Sequence, residues 1–255
     1  MGQLQEREMK HQTSIFNATL WLTIVVSGVA AGQQDTGSAS EASRGRDILR
    51  HAQEALGGAQ KLASVRDFTQ TIRVAMEALP GGVTVKQVNR YLAPAVYRQD
   101  EDMPFGKIIS YTDGASGWRS TPRGSATMTP AVLKMSQDEL FRSLFVLMAA
   151  DRDPSVQVKA TAPRTVEIAK EDGFSVRVEF DASTWLPLRK VYVAADPHGP
   201  PTEIEESYAD WREVDGLKVP FKMTIRQNGK VLADETVEEF QFNVGLKADE
   251  LSQKP

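Results

Sequence analysis

The chain has 255 residues, of which 41% are hydrophobic and 25% charged, and its formal net charge is -4. That balance suits a soluble globular chain and excludes binding to nucleic acid or anionic membrane held by bulk positive charge. Cysteine is absent, which removes disulfides, thiolate metal sites, cysteine nucleophiles and lipidation on an N-terminal cysteine.

The N-terminus carries Arg7 and Lys10, then an uncharged run from Ser14 to Gly32 whose apolar centre is Leu20 to Val26. Small residues follow, from Ser27 to Gly32. A basic flank, an apolar centre and a small-residue end make residues 1–32 a secretory signal peptide, with cleavage after Ala31 or Gly32. The competing reading is an uncleaved anchor, since about 19 uncharged residues could just cross a ~30 Å hydrocarbon layer. Asn17, Thr19 and Thr23 interrupt that run. Either way the protein is expected to be periplasmic or otherwise exported. Residues 33–45, rich in Gln, Ser, Ala and Gly, read as a flexible leader. Residues 46–255 read as one domain.

The first ordered element expected is a helix over Arg46 to Leu56, where Ile48, Leu49, Ala52, Ala55 and Leu56 share one face and Gly57-Gly58 ends it. From Asp67 the pattern changes to short alternating runs divided by turn signals: Pro80-Gly81-Gly82, Asp113-Gly114, Asp172-Gly173, Asp215-Gly216 and Asn228-Gly229. Strands are predicted over 67–77, 82–92, 95–102, 107–113, 116–121, 155–161, 164–170, 173–180, 185–194, 202–213, 217–227 and 230–243. Phe174, Val176, Val178 and Phe180 alternate with polar neighbours, as do Val219, Phe221, Met223 and Ile225. A sheet with one apolar face needs a cover for it. The meander is interrupted between 122 and 154, where the capping-box pattern Ser136-Gln137-Asp138-Glu139 precedes an apolar run, so a buried helix is predicted from near Gln137 to before Pro154. The fold class is α+β, mainly β: a strongly curved antiparallel sheet with an N-terminal helix and a helix inserted across its open side.

The run from Ile108 through Asp113-Gly114 and Trp118 to Pro122, preceded by the strand opening Pro94-Ala95-Val96-Tyr97-Arg98 and followed by the apolar insertion, resembles periplasmic outer-membrane lipoprotein carriers of the LolA/LolB type. Ala55 to Leu62 and Tyr208 to Pro220 look like the related lipoprotein-sorting proteins. The resemblance covers about 50 to 245 and implies an unclosed β-barrel whose helical lid covers a hydrophobic cavity for acyl chains. One position departs. In those carriers the Arg that ties the lid directly precedes the strand's Pro, and here that position is Ala93. Arg90 falls on the opposite face by strand parity, so it is not expected to replace that latch.

A carrier needs apolar wall rather than a catalytic group, because each buried methylene contributes about 0.8 kcal/mol. The candidate cavity residues are Phe105, Trp118, Met128, Leu144, Phe145, Met148, Val176, Val178, Phe221 and Met223. The alternative for each is ordinary core. Flexible thioethers near the insertion, Met128, Met135 and Met148, suit a wall that accepts varied shapes. His51 at a helix edge and His198 in Asp196-Pro197-His198-Gly199 read as structural and solvated respectively, and no zinc-ligand spacing occurs. The carboxylates at Asp100-Glu101-Asp102 and at Glu203, Glu205 and Glu206 could pair for acid–base work, but read as solvated strand ends. The expected function is an exported carrier or chaperone for lipoprotein acyl chains or lipid. Its partners would be an inner-membrane donor and an outer-membrane acceptor, with no nucleic acid, and the chain itself a monomer without cofactor or metal. A sensor or interaction module of the same fold, and a small-molecule enzyme, are the competing readings.

Overall fold

The computed structural model describes residues 34–77, 82–195 and 200–255. The predicted signal peptide and His198 lie outside them.

Helix α1 spans Gln34–Leu56 and α2 spans Ala59–Ser64. The helix therefore starts well before Arg46, and the stretch expected as a flexible leader is helical from Gln34. What anchors this part is a close approach to the sheet. A Cβ on Gly45 would stand 2.8 Å from the Ala160 backbone nitrogen, so only glycine lets the helix backbone lie this near. Further along α1, Leu49, Ala52 and Leu56 are fully buried, as the helical spacing predicts.

The strands follow as β1 (Asp67–Met76), β2 (Val83–Leu92), β3 (Val96–Met103), β4 (Gly106–Thr112), β5 (Gly117–Thr121) and β6 (Gly124–Thr127). After the helical insertion come β7 (Gln157–Ala162), β8 (Thr165–Ala169), β9 (Ser175–Phe180), β10 (Pro187–Ala194), β11 (Thr202–Val214), β12 (Leu217–Gln227) and β13 (Lys230–Phe242). Twelve correspond to the predicted strands. The thirteenth, β6, is a short exposed edge in the region read as loop. Turn chemistry explains the tight connections: Asp215-Gly216 has φ of 50° and 76°, and Asn228-Gly229 has 49° and 78°. Two consecutive left-handed residues match the twist of a hairpin, and Asn, Asp and Gly adopt them most cheaply.

All thirteen strands form one antiparallel sheet in the order β6-β5-β4-β3-β2-β1-β13-β12-β11-β10-β9-β8-β7. The sheet does not close, and its edges β6 and β7 are joined in sequence by the insertion. Its inner face holds the main core, in which α1 packs on β7, β8 and β12.

The insertion is not one helix from Gln137. Helix α3 runs Pro130–Phe141 and α4 runs Leu144–Met148, followed by a 3-10 turn at Ala150–Arg152. The N-cap of α3 is Thr129, whose side chain accepts from the Val132 amide at 3.4 Å, with Pro130 at the first helical position. Ser136, read as a cap, sits mid-helix with its hydroxyl 3.7 Å from the Met128 sulfur. The break at Arg142-Ser143 contains neither Gly nor Pro. There the Arg142 carbonyl accepts from the Lys190 ammonium at 2.6 Å, and Ser143 takes the N-cap position of α4.

A last short helix, α5 (Ala248–Leu251), lies on the outer face. Leu251 packs there with Ile109, Tyr111 and Trp118 in a second, smaller core. Arg98 ties the segment down by donating to the carbonyls of Leu251 and Gln253 at 2.9 and 2.7 Å.

Candidate functional site

Helix α3 spans the gap between the two arms of the sheet. On one side Gln137 donates to the Gly114 carbonyl at 2.7 Å; on the other Lys170 Nζ meets Asp138 at 2.9 Å and Asp172 at 3.1 Å. Burial opposes the charge of Lys170, yet Asp138 and Asp172 hold its pKa above the ordinary value. The insertion is thus a lid pinned at both sides.

Beneath the lid are two small chambers, of about 200 and 160 Å3. Tyr97, Glu139 and Arg142 border both. The outer chamber lies under α3 against Gln99, Ser110, Arg119 and Met128. The inner one is bounded by Leu144, Phe145 and Met223 and by a polar floor. Gln87 donates to Asn89 at 3.0 Å, and Gln99 donates to the same oxygen at 3.3 Å, so an amide ladder crosses β2 and β3.

The floor also holds a buried ionic cluster. Lys190 from β10, 4% exposed, lies 2.9 Å from Glu206 of β11, and Tyr192 donates to Glu206 at 2.8 Å. Arg142 at the lid break faces Glu206 at 3.6 Å. Burial alone would raise the Glu206 carboxyl; Lys190 and Arg142 outweigh it and hold the pKa below the usual value. Arg142 is held charged against its own burial by Glu139, Tyr192 and Glu206. Lys190 and Arg142 also favour the charged form of Glu235 of β13, but too weakly to offset its surroundings. Burial, and then repulsion from Glu206, push its pKa up to about 8. Its neighbours on the floor are Tyr208 and Lys190. The lid is therefore tied to the sheet by an arginine of its own, whose anchor is Glu206 on β11. A buried pair of this kind contributes little net stability but is strongly destabilising when one partner is removed.

A third space adjoins these on the other side of Phe145. It is an apolar cleft of about 470 Å3 between α2, the β2–β3 turn and α4, lined by Leu62, Val65, Ala93, Pro94, Phe141 and Val146. Ala93 thus faces apolar wall rather than a latch.

The structure does not bring all the sequence-derived candidates together. Met128, Leu144, Phe145 and Met223 line the chambers under the lid. Met148, Val176 and Val178 are fully buried in the main core; Phe221 joins that core with the Arg212 guanidinium 4.3 Å over its ring. Trp118 belongs to the outer face, where its indole donates to the Ser252 carbonyl at 3.2 Å, because Tyr111, its cross-strand partner, points there too. Phe105 is 65% exposed at the β3–β4 turn. Neither of these two lines the chambers or the cleft. Conversely, sequence reasoning passed over Lys190, Glu235, Tyr208 and Arg142. For Glu206 a signal existed: it shares strand parity with Ile204 and Tyr208, both inward, whereas Glu203 and Glu205 do not.

No family model matches the sequence, and no curated protein matches it. Solved structures do share the fold. An outer membrane lipoprotein-sorting protein domain from Vibrio parahaemolyticus superposes with a TM-score of 0.52 at 11% identity, over 82% of this chain and 97% of that one. A LolA superfamily protein from Nitrosomonas europaea gives the same values. A DUF1329 family protein from Desulfovibrio piger gives a TM-score of 0.53 at 11% identity, covering 83% and 99%. The fold is LolA-like: mainly β, an unclosed antiparallel sheet with a helical lid.

Proposed function

We propose that the protein is an exported carrier or chaperone that shelters the acyl chains of a lipoprotein or lipid, and that it is not an enzyme. The observation that carries this reading is the apolar cleft of about 470 Å3 against the lid, within the volume range of ligand pockets and separated from the inner chamber by Phe145, which lines both. The α4 part of the lid is seated in the main core, whereas α3 is held at the rim by a few polar contacts, which suits a cover that opens at α3. Residues 1–32 would direct export and then be removed, and the mature chain would act as a monomer between an inner-membrane donor and an outer-membrane acceptor. Among the described residues no helix is long and apolar enough to cross a membrane.

The test is extraction of lipid from protein purified without detergent, followed by titration with bis-ANS. Co-purified acyl lipid and micromolar probe binding are expected; an empty protein that binds no probe would sink the reading. One observation favours a second reading. Glu235, protonated at neutral pH, could serve as a general acid in an enzyme. Under the carrier reading acyl esters are recovered intact after prolonged incubation. Turnover lost in Glu235→Gln would establish the alternative.

A further inference from the structure

Most polar groups of the inner chamber are satisfied within the protein, and those left over are of one kind. The amides of Gln87, Asn89 and Gln99 bond to one another, while Lys190 and Tyr192 bond to Glu206. Two buried polar atoms have no hydrogen-bond partner among the described residues: the Tyr208 hydroxyl and the Arg142 Nε. Both residues line this chamber, one from the sheet and one from the lid. Tyr208 is only 6% exposed, so bulk water does not serve it. Arg142 Nε still faces Glu206 at 3.6 Å, so the Tyr208 hydroxyl is the group left without any partner, a standing cost that calls for an explanation.

We propose that the Tyr208 hydroxyl forms a subsite for the neutral carbonyl oxygen of an acyl ester or amide, selecting such ligands over free fatty acids. The proposal rests on the acyl-binding reading and names the ligand's polar end. Two arguments exclude a charged head. With Glu235 protonated, the charges around the chamber balance, Arg142 and Lys190 against Glu139 and Glu206, so an added charge would be buried without a counter-ion. A carboxylate would stand among carboxylates, and an ammonium would face Arg142 and Lys190. A carbonyl oxygen accepts a hydrogen bond without bringing a charge, which matches the unpartnered Tyr208 hydroxyl. Glu235, held protonated by its burial, adds a hydroxyl to the same wall rather than a negative charge. The ester or amide would sit in the inner chamber, and its chain would run past Phe145 into the apolar cleft.

The test is displacement of bound bis-ANS from the full chain by four matched ligands: methyl laurate, N-methyl lauramide, laurate and dodecane. Wild type is expected to favour the ester and the amide over laurate and dodecane by about tenfold, and Tyr208→Phe to lose about five- to tenfold for the first two alone. Because the hydroxyl has no partner in the free protein, Tyr208→Phe is expected to melt no lower than wild type. The infrared carbonyl stretch of 13C-labelled methyl laurate should fall on binding to wild type and not to Tyr208→Phe. Laurate binding best, or an ester preference that survives Tyr208→Phe with an unshifted stretch, would overturn the subsite while leaving the carrier reading intact. If none of the four displaces the probe, dodecane included, the carrier reading fails and the subsite falls with it.

Discussion

Replacing Glu235 with Gln should convert a pH-dependent protein into one whose stability is much flatter between pH 5 and 8. The carboxyl rises from about 4.5 in the unfolded chain to about 8 in the fold. Between these values the unfolded chain releases a proton that the folded protein retains, so stability falls as pH rises, and above pH 8 the loss is complete. A shift of this size corresponds to roughly 5 kcal/mol at most. Glu235 borders the inner chamber, and solvent there reduces the effect to roughly 2–4 kcal/mol. Glu206 moves the other way: its pKa is lowered, its contribution is present above the unfolded value, and it is lost only as the pH falls below that value, outside this window. Comparison at each pH cancels the remaining groups. Urea unfolding of wild type and Glu235→Gln at pH 5, 6, 7 and 8 should show the variant's stability relative to wild type rising steadily with pH, with the gap closing near pH 5. Parallel curves for the two proteins would refute the reasoning, because they would mean that Glu235 ionises normally in the fold.

Three other outcomes follow from contacts described above. Glu206→Gln leaves the buried Lys190 without its counter-ion and should cost about 3–5 kcal/mol in chemical denaturation, with faster amide exchange across residues 140–148 as the lid loosens. Gly45→Ala forces a Cβ to within 2.8 Å of the β7 backbone and should lower the melting temperature, by an amount equivalent to about 1–3 kcal/mol; an unchanged melting point would show that α1 can lift from the sheet at no cost. Thr129→Ala removes the cap of α3 and should cost about 1 kcal/mol or less, since the bond it makes is long at 3.4 Å, whereas Ser136→Ala should be near neutral.

The sheet was legible because its strands obey two local rules, alternation and turn chemistry, and both are written in adjacent residues. Val176, Val178 and Phe180 point inward as the alternation says, and Asp215-Gly216 and Asn228-Gly229 turn where expected. The lid was misplaced because two start signals compete in it. Thr129-Pro130 and Ser136 to Glu139 each satisfy a helix-start pattern, and the tertiary setting chooses the first by drawing Gln137 and Asp138 into contacts across the gap. The division of the lid at Arg142 has only a weak local signal, Ser143 at the N-cap of α4, and the carbonyl freed there is met by Lys190, 48 residues away. The polar floor was hidden for a similar reason. On β10 Lys190 and Tyr192 point inward while Val193 is 56% exposed, so this strand inverts the usual pattern. Such an inversion becomes intelligible only when Glu206 and Arg142 are brought beside it.

The strand order has a consequence for how the molecule assembles. Eleven of its twelve strand pairings join neighbours in the chain and can form by local zipping, whereas β1–β13 joins segments separated by nearly the whole domain. Each half can therefore collapse early as a meander, and the slow step is the one long-range docking that unites them. Until β13 has been made and has found β1, two half-cores with open flanks coexist in one chain. The same seam places Phe68, Phe240 and Phe242 side by side against Phe145 of the lid, with Phe145 and Phe242 centred 5.0 Å apart. Closing the seam and seating the lid thus bury one shared aromatic cluster, so the cover should find its place only after the last strand has done so.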